Sequence, residues 1–219
     1  MVFENHFLRV VGIGGTLRRS SSSLGALRRA LWAAEEAGAE EAGADVELFD
    51  LRELGLPMFE PGKTLDDYGP EVRRFIKALR EADAFILSTA AYHGTLAGVT
   101  KNALDFTQFL AQDERPYLAG RVVGLISTSG GERAAANTTD AMVHVVHALR
   151  GVVAPQIVTI GGAWKRFDDE GNITDEGSGR RLDSLGRLVV EMAEGLSPDR
   201  GSGDRGSGDR RAEAVGVGA

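Results

Sequence analysis

Residues 12–23 read GIGGTLRRSSSS, and what flanks them decides how the chain folds. Upstream, Leu8, Arg9, Val10, Val11 and Ile13 make a nearly continuous apolar run, the pattern of a buried strand. Downstream, Leu24, Leu27, Leu31 and Ala34 recur at helical spacing. A strand, a turn of small residues and a helix therefore follow in order. The helix is expected over about Ser22 to Ala37, dissolving into the Gly38 to Gly43 segment.

Such a turn suits an anion. Glycines let backbone approach a ligand, the first N–H groups of a helix lack intrahelical partners, and the helix dipole places partial positive charge at the same end. Phosphate is the usual occupant. Four serines add hydroxyls, and Arg18 adds a fork that can pair two oxygens. The plainer alternative is a tight βα turn with a serine N-cap and Arg18 in solvent. The dinucleotide fingerprint is disfavoured because Leu17 stands where a third small residue belongs, and the triphosphate loop because the segment has no lysine. What remains fits a terminal phosphate monoester, the group FMN carries.

The rest of the chain repeats the alternation. Strands are expected at Asp45 to Leu51, Ala84 to Thr89, Gly120 to Thr128 and Val152 to Ile160, the last with Pro155 hinting at an edge or bulge. Helices are expected from Pro70, with Val72, Phe75, Ile76 and Leu79 as the apolar face, at Val99 to Leu110, up to about Leu149, and at Leu182 to Ala193. Leu54 to Gly69 reads as a long irregular connection. Five strands alternating with five helices predict an α/β three-layer sandwich on a five-stranded parallel sheet. Ligands of such sheets sit beyond the carboxyl ends of the strands, where loops 14–23, 90–98 and 127–132 are expected to converge.

Composition narrows the function. The 219 residues fit one α/β domain, expected over 1–196, followed by a tail at 197–219 whose GSGDR repeat lacks apolar residues and is expected to be disordered. With no cysteine, disulfides, thiolate catalysis and iron–sulfur clusters are excluded. A net charge of −7 argues against a nucleic-acid partner. No apolar run is long enough for a membrane span and the N-terminus does not read as a secretion signal, so a cytoplasmic protein is expected. His144 and His147 share a helical face without a third ligand, and Asp168, Asp169 and Glu170 lack a full calcium series, so no metal site is expected. Lys101 and Asp105 are spaced as a helix-supporting ion pair.

GGTLRRSSSS, then STAAYHGTLAGVTKNALDF at 88–106, STSGGE at 127–132 and FDDEGNITDE at 167–176 resemble, in order, the NADPH-dependent FMN reductase family of flavodoxin-like proteins. The resemblance covers roughly Val10 to Met192 and implies the strand order 2-1-3-4-5. It implies FMN as cofactor, its phosphate held by Thr16, Arg18, Ser21 and Ser23. Ala90, Ala91, Tyr92, His93, Gly94 and Thr95 would lie along the isoalloxazine edge, and Ser129, Gly130 and Gly131 would close the other side. It further implies hydride transfer from NADPH and passage of electrons to a small-molecule acceptor: free FMN, a quinone, an azo compound or a metal oxyanion. A homodimer or homotetramer is implied too, with Leu54 to Gly69 a candidate for reaching a neighbour's flavin. One stretch departs: the family often has Pro-Glu-Tyr-Asn where this chain has Ala90-Ala91-Tyr92-His93. A carboxylate is missing and an imidazole replaces an amide. No catalytic side chain is required by this chemistry; His93 is the one that could donate to flavin or substrate. A flavodoxin-type electron carrier and a phosphate-ester-binding regulator remain open on sequence.

Overall fold

The apolar runs become a parallel sheet in the computed structural model, which describes residues 8–41 and 44–196. Its strands are β1 (Leu8–Gly14), β2 (Ala44–Asp50), β3 (Ala84–Tyr92), β5 (Val122–Thr128) and β6 (Val152–Ile160), in the order β2-β1-β3-β5-β6. A two-residue strand, β4 (Thr95–Leu96), folds back antiparallel on the end of β3. The five parallel strands thus take the expected 2-1-3-4-5 order, and β4 is an addition that sequence did not announce. The tail at 197–219 lies outside the described residues.

Alternate strand residues feed two cores. Val11, Ile13, Phe85, Leu87, Val123 and Leu125 pack under α3 (Pro70–Glu81) and α5 (Glu132–Ala148). Val10, Ala84, Ile86, Val122 and Ile126 pack under α1 (Ser22–Glu41) and α6 (Glu176–Leu196). Both faces are covered, as parallel sheets require. Helices α1 and α6 approach so closely that a β-carbon on Gly186 would lie 2.1 Å from the carbonyl oxygen of Ala30.

Several boundaries differ from the sequence expectation. Helix α1 continues through Gly38 to Glu41, because Gly38 packs against Ala44 at the start of β2 rather than stopping the helix. The second strand ends at Asp50, whose carboxylate accepts from the Arg52 N–H and caps the one-turn helix α2 (Leu51–Leu54). Helix α6 begins at Glu176, six residues before the expected Leu182, with the Asp175 carboxylate taking the Ser178 N–H at 2.8 Å. Pairing of β5 with β6 shifts register between Val123 and Leu125, opposite the stretch that holds Pro155. That strand is also an edge.

The Leu54 to Gly69 connection is fastened rather than loose. Asn102, buried on α4 (Gly98–Asp105), accepts from the Phe59 N–H at 2.9 Å and donates to the Pro57 carbonyl at 2.8 Å. Phe59, Tyr68, Phe106 and Phe109 then stack with ring centroids 5.2–6.2 Å apart, mostly edge to face. No helix among the described residues is long and apolar enough to cross a membrane.

Candidate functional site

The carboxyl ends of β1, β3, β5 and β6 open into a cleft of about 380 Å³. Its first wall is the turn between β1 and α1. Gly15 takes the left-handed conformation at φ +96°, which a side chain would strain, and a β-carbon there would sit 3.2 Å from the Asp50 carboxylate. The chain then loops over itself: Thr16 donates from its hydroxyl to Ser21 Oγ at 3.3 Å and accepts from the Arg18 N–H at 3.2 Å. Ser21 Oγ lies 3.0 Å from Ser23 Oγ and accepts from the Leu24 N–H at 3.4 Å, making Ser21 the N-cap of α1. Thr16, Ser21 and Ser23 are all buried. The Arg18 side chain is exposed and has no hydrogen bond or ion pair among the described residues. Three linked hydroxyls at a helix N-terminus beside an available guanidinium form a cradle that matches an anion.

The second wall is the end of β3. Ala90, Ala91 and Tyr92 line the cleft, and Tyr92 is 46% exposed. His93, Gly94 and Thr95 lie just past it. They form the β3–β4 hairpin, in which His93 (φ 52°) and Gly94 (φ 85°) both take positive φ, as a two-residue primed turn demands. Thr89 Oγ1, bonded to Thr100 Oγ1 at 2.9 Å and to the Ala97 N–H at 3.1 Å, ties the hairpin to α4. The third wall comes from β5: Thr128, Ser129 and Gly130 line the cleft, while Gly131 caps α5 just behind. Nothing lies within 4 Å of a β-carbon built on Gly130 or Gly131, so this wall is open.

A fourth wall was missed in the sequence. After β6 the chain turns at Gly162 (φ 57°) into a short 3-10 turn, Ala163–Lys165, and runs back across the strand ends to the first wall. Ala163, Trp164, Phe167, Asp168, Asp169 and Gly171 line the cleft from this strap. Its far end touches the anion cradle, where the Ser20 hydroxyl donates to the Asp169 carbonyl at 2.5 Å. Arg166 secures the middle, reaching Asp175 at 3.2 Å and Glu132 at 3.5 Å. The FDDEGNITDE pattern was the available signal: Phe167 pairs with Ile173 in a β-bridge, closed by Gly171 at φ +90°.

Two carboxylates of the strap, Asp168 and Asp175, are held in their ionised form. Backbone and side-chain donors of Asn172 push the Asp168 carboxyl below its ordinary range. Ser178 does the same for Asp175, with Arg166 assisting. Asp168 is therefore a turn anchor, spending its oxygens on Asn172 at 2.7 and 3.1 Å. Lys101 and Asp105 pair on exposed α4, away from the cleft lining.

The family model described as NADPH-dependent FMN reductase matches residues 8–165. An NAD(P)H-dependent FMN reductase of Pseudomonas aeruginosa is 30% identical over 174 residues, covering 77% of this chain and 86% of that protein. A probable NADPH:quinone oxidoreductase of Oryza sativa subsp. japonica is 30% identical over 177 residues, covering 77% and 80%. An FMN-dependent NADPH-azoreductase of Staphylococcus saprophyticus is 33% identical over 137 residues, covering 59% and 68%. In fold, the chain matches the flavoenzyme NAD(P)H:(acceptor) oxidoreductase of Paracoccus denitrificans with a TM-score of 0.66 at 21% identity, covering 86% and 98%.

Proposed function

The chain belongs to the NADPH-dependent FMN reductase family, and we propose that its cleft holds FMN with the phosphate in the Thr16–Ser23 cradle. It is an NAD(P)H-driven flavin oxidoreductase acting on a small-molecule acceptor. The observation that carries the site assignment is the buried, mutually bonded trio of Thr16, Ser21 and Ser23 at the start of α1, with Arg18 unengaged beside it. A phosphate there would accept from the three hydroxyls and from backbone N–H groups, while Arg18 supplies the countercharge.

In this reading the ring system lies between the β3 wall at Ala90, Ala91 and Tyr92 and the β5 wall at Ser129, Gly130 and Gly131. The openness of Gly130 and Gly131 leaves room for a flat group. Bound FMN supplies hydride acceptance from the nicotinamide and electron return to the acceptor. The protein contributes orientation and charge stabilisation, with backbone N–H groups of about Tyr92 to Thr95 facing the pyrimidine end, where negative charge collects. His93 stands at the hairpin tip, the one side chain there able to donate to flavin or substrate. NADPH is the reductant, and a quinone, an azo compound, free FMN or a metal oxyanion the acceptor. The protein works in the cytoplasm as a homodimer or homotetramer, in which the exposed Met58, 72% accessible on the Leu54–Gly69 segment, is covered by a neighbour.

The test is a flavin titration followed by anaerobic NADPH in the same cuvette. Binding of FMN and bleaching on addition of NADPH is the expected result. Binding without bleaching would replace this reading with an electron carrier, and absence of binding would remove the site assignment.

A further inference from the structure

Trp164 is the most exposed large apolar side chain among the described residues, 73% accessible at the mouth of the cleft. Neither core needs it, since both faces of the sheet are covered without it. Its position is nevertheless built. The backbone of Ala163 donates to the Ser129 carbonyl at 2.9 Å, and the Lys165 N–H closes the turn on Gly162 at 2.9 Å. Arg166, the next residue, pairs with Glu132 at the start of α5 and with Asp175, the cap of α6. A large ring held out into water by a fixed turn is an arrangement for contact with a ligand.

Lys165 extends the chemistry. Its Nζ lies 4.6 Å from the centre of the Trp164 ring, over one face of the indole, and it has no ion pair among the described residues. One face therefore carries an uncommitted ammonium, and the other is left for a planar group.

We propose that Trp164 and Lys165 form the docking platform for the second acceptor and select planar aromatic acceptors that bear an anionic substituent. The indole stacks on the ring, and the ammonium pairs with the charged group. This rests on the flavin oxidoreductase reading of the cleft. NADPH and one solvent proton together supply the two electrons and two protons that turn a quinone into its hydroquinone, so the platform adds no reactant. It positions one.

The test uses the FMN-loaded full chain and three acceptors: menadione, which is planar and neutral; 1,2-naphthoquinone-4-sulfonate, planar and anionic; and ferricyanide, anionic but not planar. Bleaching of bound FMN by NADPH is recorded first for every variant. Trp164→Ala is expected to raise KM for both quinones about tenfold more than KM for ferricyanide, the scale of one lost aromatic stack, with kcat for the quinones within about twofold. Trp164→Phe should restore most of that difference. Lys165→Gln should raise KM for the sulfonate several-fold while leaving the menadione value in place. Equal changes for all three acceptors, or a KM for NADPH that rises in step with the quinones, would overturn the proposal. Failure of NADPH to bleach the wild-type flavin is a separate outcome, which overturns the oxidoreductase reading and this platform with it.

Discussion

Gly25, in the first turn of α1, faces the carbonyl oxygen of Gly171 so closely that a β-carbon there would stand 1.8 Å from it. The contact locks the strap after β6 onto the helix whose N-terminus forms the anion cradle. In an open helix, Gly→Ala gains about 1 kcal/mol from propensity. Here the obstacle is backbone rather than a flexible side chain, so the strap or the helix must move by more than an ångström, and overpacking of about 1–3 kcal/mol wins. Gly25→Ala is expected to lower Tm and to weaken FMN binding about tenfold in a fluorescence titration. An unchanged Kd would mean that strap and cradle are not coupled.

Asn102 holds the 54–69 segment by two bonds, to Phe59 and Pro57. Asn102→Ala leaves an N–H and a carbonyl without partners, each costing about 1–3 kcal/mol when buried. Because Phe59 is only partly buried and Pro57 is exposed, a total of about 1–3 kcal/mol and a Tm lower by about 3–8 °C are expected. The melting curve reads the first effect. Hydrogen exchange at the Phe59 amide reads the second, local one, which should exceed the global loss of protection.

Much of this architecture was legible because burial leaves a pattern. The strand runs, the order of elements and the β1–α1 turn all follow from apolar periodicity and the positions of Gly, Ser and Pro. What was not legible depends on tertiary contact. Gly38 reads as a helix stop, yet it is small because Ala44 sits against it. The start of α6 was hidden by Gly177 and Gly179, poor helix formers that the Asp175 cap and packing override. The strap was hidden for another reason: FDDEGNITDE signals the turn closed by Gly171, but the strap's role comes from crossing back over the strand ends, a path set by tertiary contact.

His93 and Gly94 share the tip of the β3–β4 hairpin, both at positive φ. Asn is favoured at the first position of such a turn, so His93→Asn should keep or slightly raise stability. If the imidazole only makes the turn, the rate of FMN bleaching by NADPH in stopped flow stays within about twofold. A loss of tenfold or more would instead give the side chain a part in hydride transfer.

Asp168 and Asp175 have depressed carboxyl pKa values in the folded strap. Groups depressed on folding contribute stability above their unfolded values, near 4, and lose it as pH falls through the folded ones. The strap is therefore expected to stay closed from pH 8 to about 5 and to open only below about pH 4. Amide protection of Asn172, whose N–H is bonded to Asp168, reads this directly. Asp168→Asn should weaken that protection at neutral pH and flatten its acid dependence.

Arg18 is the sharpest handle on the phosphate assignment, because its side chain is exposed and engaged with nothing among the described residues. Its removal should cost the apo protein almost no stability, since no native contact is lost. A charge-assisted bond to phosphate is worth about 1.5–3 kcal/mol, so Arg18→Gln should weaken FMN binding by about 10- to 100-fold. Riboflavin has the same ring system without the phosphate and should bind wild type and variant alike. The comparison forms a cycle whose coupling term belongs to the Arg18–phosphate pair alone. Salt gives a second, independent check: FMN affinity of the wild type should fall between 0.05 and 0.5 M salt more steeply than that of the variant, as screening of a partly exposed pair requires. Equal losses for FMN and riboflavin would place Arg18 against the ring instead, and the phosphate would then have to be held by Thr16, Ser21 and Ser23 without a countercharge.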